Sequence, residues 1–178
     1  MRDERAKLYP EDPMPAYEAA RADGHRSRGT WLIVDCNGYD FLVAADEIKQ
    51  AAIEAHKSGR VTFAMTHIQY DEILDIPDDK AAKRSAILEI PYVFTPTYGF
   101  MLDLSRLGYA RLVGDAIEVD RFRSEDRNHS EDALLAATAE FEKAILVTND
   151  DRLTNVAARF GDGVEVWRPE RLVEFLRT

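Results

Sequence analysis

Cysteine is almost missing from this chain: Cys36 is the single one in 178 residues. One thiol excludes an internal disulfide and any zinc site built on several thiolates, and it fits a reducing compartment. Long apolar runs are missing too. None approaches the roughly 18 residues of a membrane span, and the start, Met1-Arg2-Asp3-Glu4-Arg5, is charged and lacks the apolar stretch of a secretory leader. A cytoplasmic protein with no membrane partner is therefore expected. Positive charge is scarce: 23 Lys and Arg face 33 Asp and Glu, a formal net charge of −10. That balance argues against tight, nonspecific binding to a nucleic-acid backbone, which relies on a basic surface and displaced counter-ions. A nuclease survives it, because carboxylates in a metal site carry charge that the ions neutralise.

Internal repeats are absent as well, and 46% hydrophobic content over this length supports one well-buried core. Residues 1–29, with Pro10, Pro13 and Pro15 among charged and small residues, read as an N-terminal extension or arm that has room for a short helix around Ala16 to Ala22. Residues 30–178 read as a single domain. Trp31 to Val34 predicts a buried strand, Asn37-Gly38-Tyr39-Asp40 a turn, and Phe41 to His56 a helix stopped by Ser58-Gly59. Val61 to Met65 predicts a second strand. Thr66-His67-Ile68-Gln69 has the spacing of a capping box, opening a helix to about Leu74.

Pro77-Asp78-Asp79 opens another helical stretch to about Glu89, and the aromatic-rich segment from Pro91 to Tyr109 has no clear period. Asn128 to Glu131 supplies a helix start, with apolar spacing at Leu134, Leu135, Thr138 and Phe141. Ala144 to Val147, a helix from Asp151 to Phe160, Val164 to Trp167 and a helix after Pro169 complete an alternation of strands and helices. Such alternation predicts an α/β fold with a mostly parallel central sheet flanked by helices on both faces.

Four isolated acids stand at telling places in that scheme. Asp35 closes the first strand, Asp150 ends Leu146-Val147-Thr148-Asn149-Asp150, Glu72 shares a helical face with Ile68 and Ile76, and Asp132 opens the Ala- and Leu-rich helix. In open parallel sheets, functional groups gather beyond the carboxyl ends of the strands. Each acid also has a plainer explanation. Asp35 and Asp150 suit turns and helix caps, Glu72 suits a salt bridge or exposure at the rim, and Asp132 suits the helix dipole.

Taken in order, these pieces resemble the PIN domain, the nuclease fold of VapC-type toxin ribonucleases. Ile33-Val34-Asp35-Cys36-Asn37 matches the first acidic motif and Glu72 the second. Asp132-Ala133-Leu134-Leu135-Ala136-Ala137-Thr138-Ala139 and Leu146-Val147-Thr148-Asn149-Asp150 match the third and fourth. The chain departs from many relatives just beyond Asp150. They carry an acid two places on and then an aromatic; here Arg152 and Leu153 stand there, with Asp151 shifted by one. The resemblance implies a PIN-like three-layer sandwich and a divalent-metal-dependent endoribonuclease, a hydrolase of single-stranded RNA and a toxin of a toxin–antitoxin pair. It also implies an antitoxin partner. A homodimer is expected in addition.

Carboxylate oxygens are hard ligands, so an all-oxygen set of Asp35, Glu72, Asp132 and Asp150 suits Mg²⁺ or Mn²⁺ better than Zn²⁺. Asp35 and Asp150 are the expected direct ligands and Asp132 completes the cluster. Glu72 either binds metal or orients a water, while Asn37 and Thr148 support the carboxylates. His67 and His129 lack the paired spacing of a metal motif. Cys36 is expected to pack on the far side of the strand from Asp35. Arg121, Arg123 and Arg127 suit a phosphate backbone or a solvated face. Tyr92, Phe94, Tyr98, Phe100 and Tyr109 suit base stacking, core filling or an interface. A dehalogenase-type phosphatase would need Asp at position 37 and a receiver domain an acidic pair after the first strand; the chain has neither. The remaining rival is a non-catalytic binding module, for nucleic acid or protein, in which the same acids serve as caps and salt bridges.

Overall fold

The computed structural model of the chain describes residues 13–24, 29–99, 108–111, 130–160 and 163–178. Five strands form one sheet. They are β1 (Thr30–Val34), β2 (Val61–Met65), β3 (Val93–Phe94), β6 (Ile145–Val147) and β7 (Val166–Trp167), in the order β3-β2-β1-β6-β7. Every pairing in it is parallel, including Leu32 with Phe63 and Ile33 with Leu146. The chain builds outward from β1 through β2 to β3, then returns to the other side of β1 with β6 and β7. Between β1 and β6 the direction of winding reverses, which opens a crevice at the carboxyl ends of those two strands.

Alternation along β1 explains why helices cover both faces. Leu32 and Val34 point into one cluster with Phe63, Met65, Tyr39, Leu42, Ala52, Leu172 and Leu176. That layer contains α2 (Cys36–Leu42), α3 (Asp46–Lys57), α4 (His67–Leu74), α5 (Ala81–Leu88) and α8 (Pro169–Arg177). Trp31 and Ile33 point into the other cluster with Ala64, Leu146, Leu153, Val156 and Ala157. There α1 (Met14–Gly24), α6 (Ser130–Glu142) and α7 (Asp151–Phe160) form the opposite layer. Leu32, Ile33 and Val34 are fully buried, and each such side chain contributes roughly 1.5–3 kcal/mol by leaving water. The α/β sandwich expected from the sequence is thus the observed fold. Among the described residues no helix is long and apolar enough to cross a membrane.

Three local expectations change. The turn expected at residues 37–40 is the body of α2, because Asp35 caps a helix immediately after β1 and Gly38 N donates to its Oδ1 at 2.9 Å. The helical stretch expected from Phe41 to His56 is consequently two helices, broken at residues 43–45. The part of the N-terminal arm that is described packs on the domain: α1 lays Tyr17, 2% exposed, edge-on against Trp31. Tyr17 donates to the buried Glu142 at 2.6 Å, and Arg21 and Arg111 pair with the same carboxylate oxygen at 3.5 and 3.2 Å.

Other expectations hold closely. Gln69 Oε1 accepts from Thr66 N at 2.8 Å, so the capping box is present at the start of α4. Gly59, φ +74°, takes the left-handed conformation that ends α3. The aromatic segment without a clear period contains β3 and β4 (Thr97–Tyr98), and β4 pairs in parallel with β5 (Ala110–Arg111) just beyond it. Tyr98 N donates to Thr138 of α6 at 3.0 Å, which ties that pair to the helix.

Candidate active site at the carboxyl edge of the sheet

Asp35 leaves β1 at the switch point. Its N–H donates to Val147 O at 2.9 Å, extending the β1–β6 ladder by one residue, and Thr148 N donates to Trp167 O at 3.0 Å on the next strand. Both chain ends are therefore held by the sheet as they enter the crevice. Asp35 is 7% exposed and uses its two oxygens differently. Oδ1 caps α2, and Oδ2 accepts from the fully buried Thr148 hydroxyl. That hydroxyl in turn accepts from Asp150 N at 2.9 Å. Thr148 thus links the first and fourth expected acids.

Asp150 repeats the arrangement. Its Oδ1 caps α7, accepting from Arg152 N at 2.7 Å and Leu153 N at 3.4 Å, while Oδ2 faces the Arg152 guanidinium at 3.7 Å. Asp132, in the first turn of α6, meets the same guanidinium: Arg152 Nε lies 2.8 Å from its Oδ2. Asp132 is largely covered, its side chain 14% exposed, whereas that of Arg152 is 51% exposed. Asp151 turns outward to pair with Arg168. Asp150, not Asp151, is thus the one that shares a guanidinium with Asp132.

Glu72 sits at the rim, exposed, on α4 between the buried Ile68 and the part-buried Ile76. Desolvation pushes its carboxyl above the ordinary value of 4.5; the neighbouring Cys36 thiol opposes the shift, while Glu131, Asp35 and Asp132 add to it. Those neighbours place Glu72 in the same negative field as two of the other acids. Cys36 does not lie on the far side as expected. It opens α2, where the thiol donates to Gln69 O at 3.6 Å and faces Glu72; burial and that carboxylate push its pKa upward, so it stays a thiol.

Asn37 is exposed, and the hydrogen bond to Asp35 Oδ1 comes from Gly38 N instead. His67 is fully buried at the start of α4, a core position. His129, Arg121, Arg123, Arg127 and Phe100 lie outside the described residues. Of the other aromatics, Tyr92 and Phe94 pack on each other and on Tyr70, Tyr109 packs on Phe94, and Tyr98 stacks on Phe141 with centroids 4.4 Å apart. They fill and cover the fold.

Three contributors escaped the sequence reading. Gly38 is one: a Cβ there would lie 2.8 Å from Val34 Cγ1 and 3.3 Å from Val147 O, so only glycine lets α2 begin against both strand ends. Gln69 is another, because its amide donates to Val34 O and fastens α4 beside Asp35. Glu131 is the third, adding charge near Glu72 from a position that reads as a helix-dipole residue. Arg152 was visible as a departure from the pattern, but its two carboxylate partners were not.

In chemistry carboxylate oxygens suit a hard divalent cation, and the four acids come from four separate segments of the chain. Their present arrangement is occupied differently. Among the described residues no three His, Cys, Asp or Glu side chains gather closely enough to hold a metal ion, and a guanidinium bridges Asp132 and Asp150. No family model matches the chain, and no curated protein matches it. Among solved structures, a crystal structure of PAE2754 from Pyrobaculum aerophilum aligns at 20% identity over 83% of this chain and 90% of that one, with a TM-score of 0.49.

Proposed function

We propose that this chain is a divalent-metal-dependent nuclease acting on single-stranded RNA, with Asp35, Glu72, Asp132 and Asp150 as its acidic site and Mg²⁺ or Mn²⁺ as cofactor. One observation carries the reading. Asp35 and Asp150, brought together at the β1–β6 switch point, share Thr148, and Asp150 shares Arg152 with Asp132. Neighbouring carboxylates repel one another, and a bound cation would offset that repulsion. A bound divalent ion would supply Lewis-acid polarisation of the phosphodiester and a water of lowered pKa. The chain's own part is positional. Thr148 and the backbone donors of two helix starts fix Asp35 and Asp150, and Glu72 stands at the open rim, where a water or substrate enters. The toxin role and an antitoxin partner are proposed with the same reading, from the resemblance to VapC-type ribonucleases.

The Arg152 bridge favours a second reading, a non-catalytic binding module in which the guanidinium is the permanent counter-charge. One experiment separates them. The protein is incubated with single-stranded RNA and Mn²⁺, with and without EDTA, beside the Asp35→Asn and Asp150→Asn double variant. Cleavage by the wild type that EDTA and the double variant both abolish supports the nuclease. Equal cleavage by wild type and variant rejects the assigned site. No cleavage, together with no Mn²⁺ binding by calorimetry, favours the binding module.

A further inference from the structure

We infer that Arg152 is the built-in counter-ion of the acidic crevice and that a divalent cation enters by displacing it. The inference rests on the metal-binding reading above and adds how that site is kept before the ion arrives. Arg152 Nε sits 2.8 Å from Asp132 Oδ2, and another guanidinium nitrogen of Arg152 is 3.7 Å from Asp150 Oδ2. Asp150 Oδ1 is already engaged by the backbone at the start of α7, so a cation that binds Asp150 must compete with the guanidinium for Oδ2.

Charge and exposure make the exchange feasible. With Asp35 and Glu72 nearby, one guanidinium leaves the four carboxylates three charges short of neutrality, and the crevice keeps a net attraction for a divalent ion. The Arg152 side chain is half exposed, so its stem swings into water, and the incoming ion would take over as partner of the largely covered Asp132. Arginine stays protonated across the usable pH range. The competition is thus set by cation concentration and ionic strength, not by protonation of the blocking group. The backbone bond that caps α7 comes from Arg152 N, not its side chain; truncating the side chain leaves the cap in place.

The test is a Mn²⁺ titration by calorimetry on the full chain, comparing wild type with Arg152→Gln and Arg152→Lys. Removing a partly exposed ion pair of this kind should tighten Mn²⁺ binding about fivefold in Arg152→Gln, with Arg152→Lys between it and the wild type. Melting curves supply the second readout. Without Mn²⁺, Arg152→Gln should melt below the wild type, and saturating Mn²⁺ should close the gap because the ion replaces the lost charge. Wild type and Arg152→Gln binding Mn²⁺ equally, or the variant binding more weakly, would overturn the inference and leave the metal reading standing. No binding by any of the three proteins would overturn both.

Discussion

Replacing Thr148 with valine tests whether the crevice is a pre-set site or a chance meeting of loop ends. Valine keeps the shape of threonine and its fit in a fully buried position, and removes only the hydroxyl. Two hydrogen bonds go with it: the one donated to Asp35 Oδ2 and the one accepted from Asp150 N at 2.9 Å. The first has a charged acceptor and is worth about 1.5–3 kcal/mol, the second about 0.5–1.5 kcal/mol. Asp35 is 7% exposed, so water replaces the lost donor poorly. A loss of about 2–4 kcal/mol is expected, read as a lower urea midpoint at unchanged slope. Thr148→Ser keeps the hydroxyl and loses one buried methyl, which costs about 1 kcal/mol. A Thr148→Val loss below about 1 kcal/mol, or one equal to that of Thr148→Ser, would show that the hydroxyl does not hold the two acids together.

Other expectations follow from single contacts. Gly38→Ala drives a methyl to 2.8 Å from Val34 Cγ1 and 3.3 Å from Val147 O, so about 1–3 kcal/mol of overpacking is expected in the same urea assay; unchanged stability would mean that α2 has room to shift. Glu142→Gln weakens the anchor that holds Tyr17, Arg21 and Arg111. It should cost about 2 kcal/mol, less than a fully buried pair because both arginines are partly exposed, and should speed tryptic cleavage after Arg21; an unchanged cleavage rate would show that α1 is held by other contacts. Glu72→Gln, measured in EDTA, tests the raised carboxyl. Its folded pKa lies above the ordinary 4.5, so its effect is favourable to folding below that value and is lost as pH rises through the raised one. The variant should melt above the wild type near pH 7 and level with it by pH 4, and a difference that does not vary with pH would refute the cause.

The sheet was legible because β1, β2 and β6 are short apolar runs bounded by turn or cap residues, and the two faces follow from alternation alone, with Trp31 and Ile33 on one side and Leu32 and Val34 on the other. The start of α2 was not legible. Asn37-Gly38 is a strong turn signal, yet here glycine serves close packing against two strand ends, a requirement set by residues 34 and 147 that no local window contains. The packing of α1 was hidden for the same reason. Tyr17 meets Trp31 and Glu142, far away in sequence, and a proline-rich, charged segment has no periodic face to announce that contact. Among the acids, the positions of Asp35 and Asp150 could be read from the strands they follow. The partner of Asp132 could not, since it lies 20 residues on and across a helix pair.

Helix capping and metal ligation stood as rival explanations of Asp35 and Asp150, and the geometry makes them compatible. In each carboxylate, Oδ1 takes backbone N–H donors at a helix start and Oδ2 has a side-chain partner. Capping fixes the rotamer with one oxygen and leaves the other in a set direction, which is how a ligand atom is pre-organised. An acid that served only as a cap would leave its second oxygen to water. Here those oxygens meet Thr148 and Arg152, and through Arg152 a third acid from a different helix. Serine or asparagine would cap α2 and α7 equally well, but neither would give the crevice its negative charge. A chain that needed only caps has no use for that charge, nor for an arginine to balance it. The excess of acid over capping need is therefore the strongest argument for the proposed cation site at this edge of the sheet.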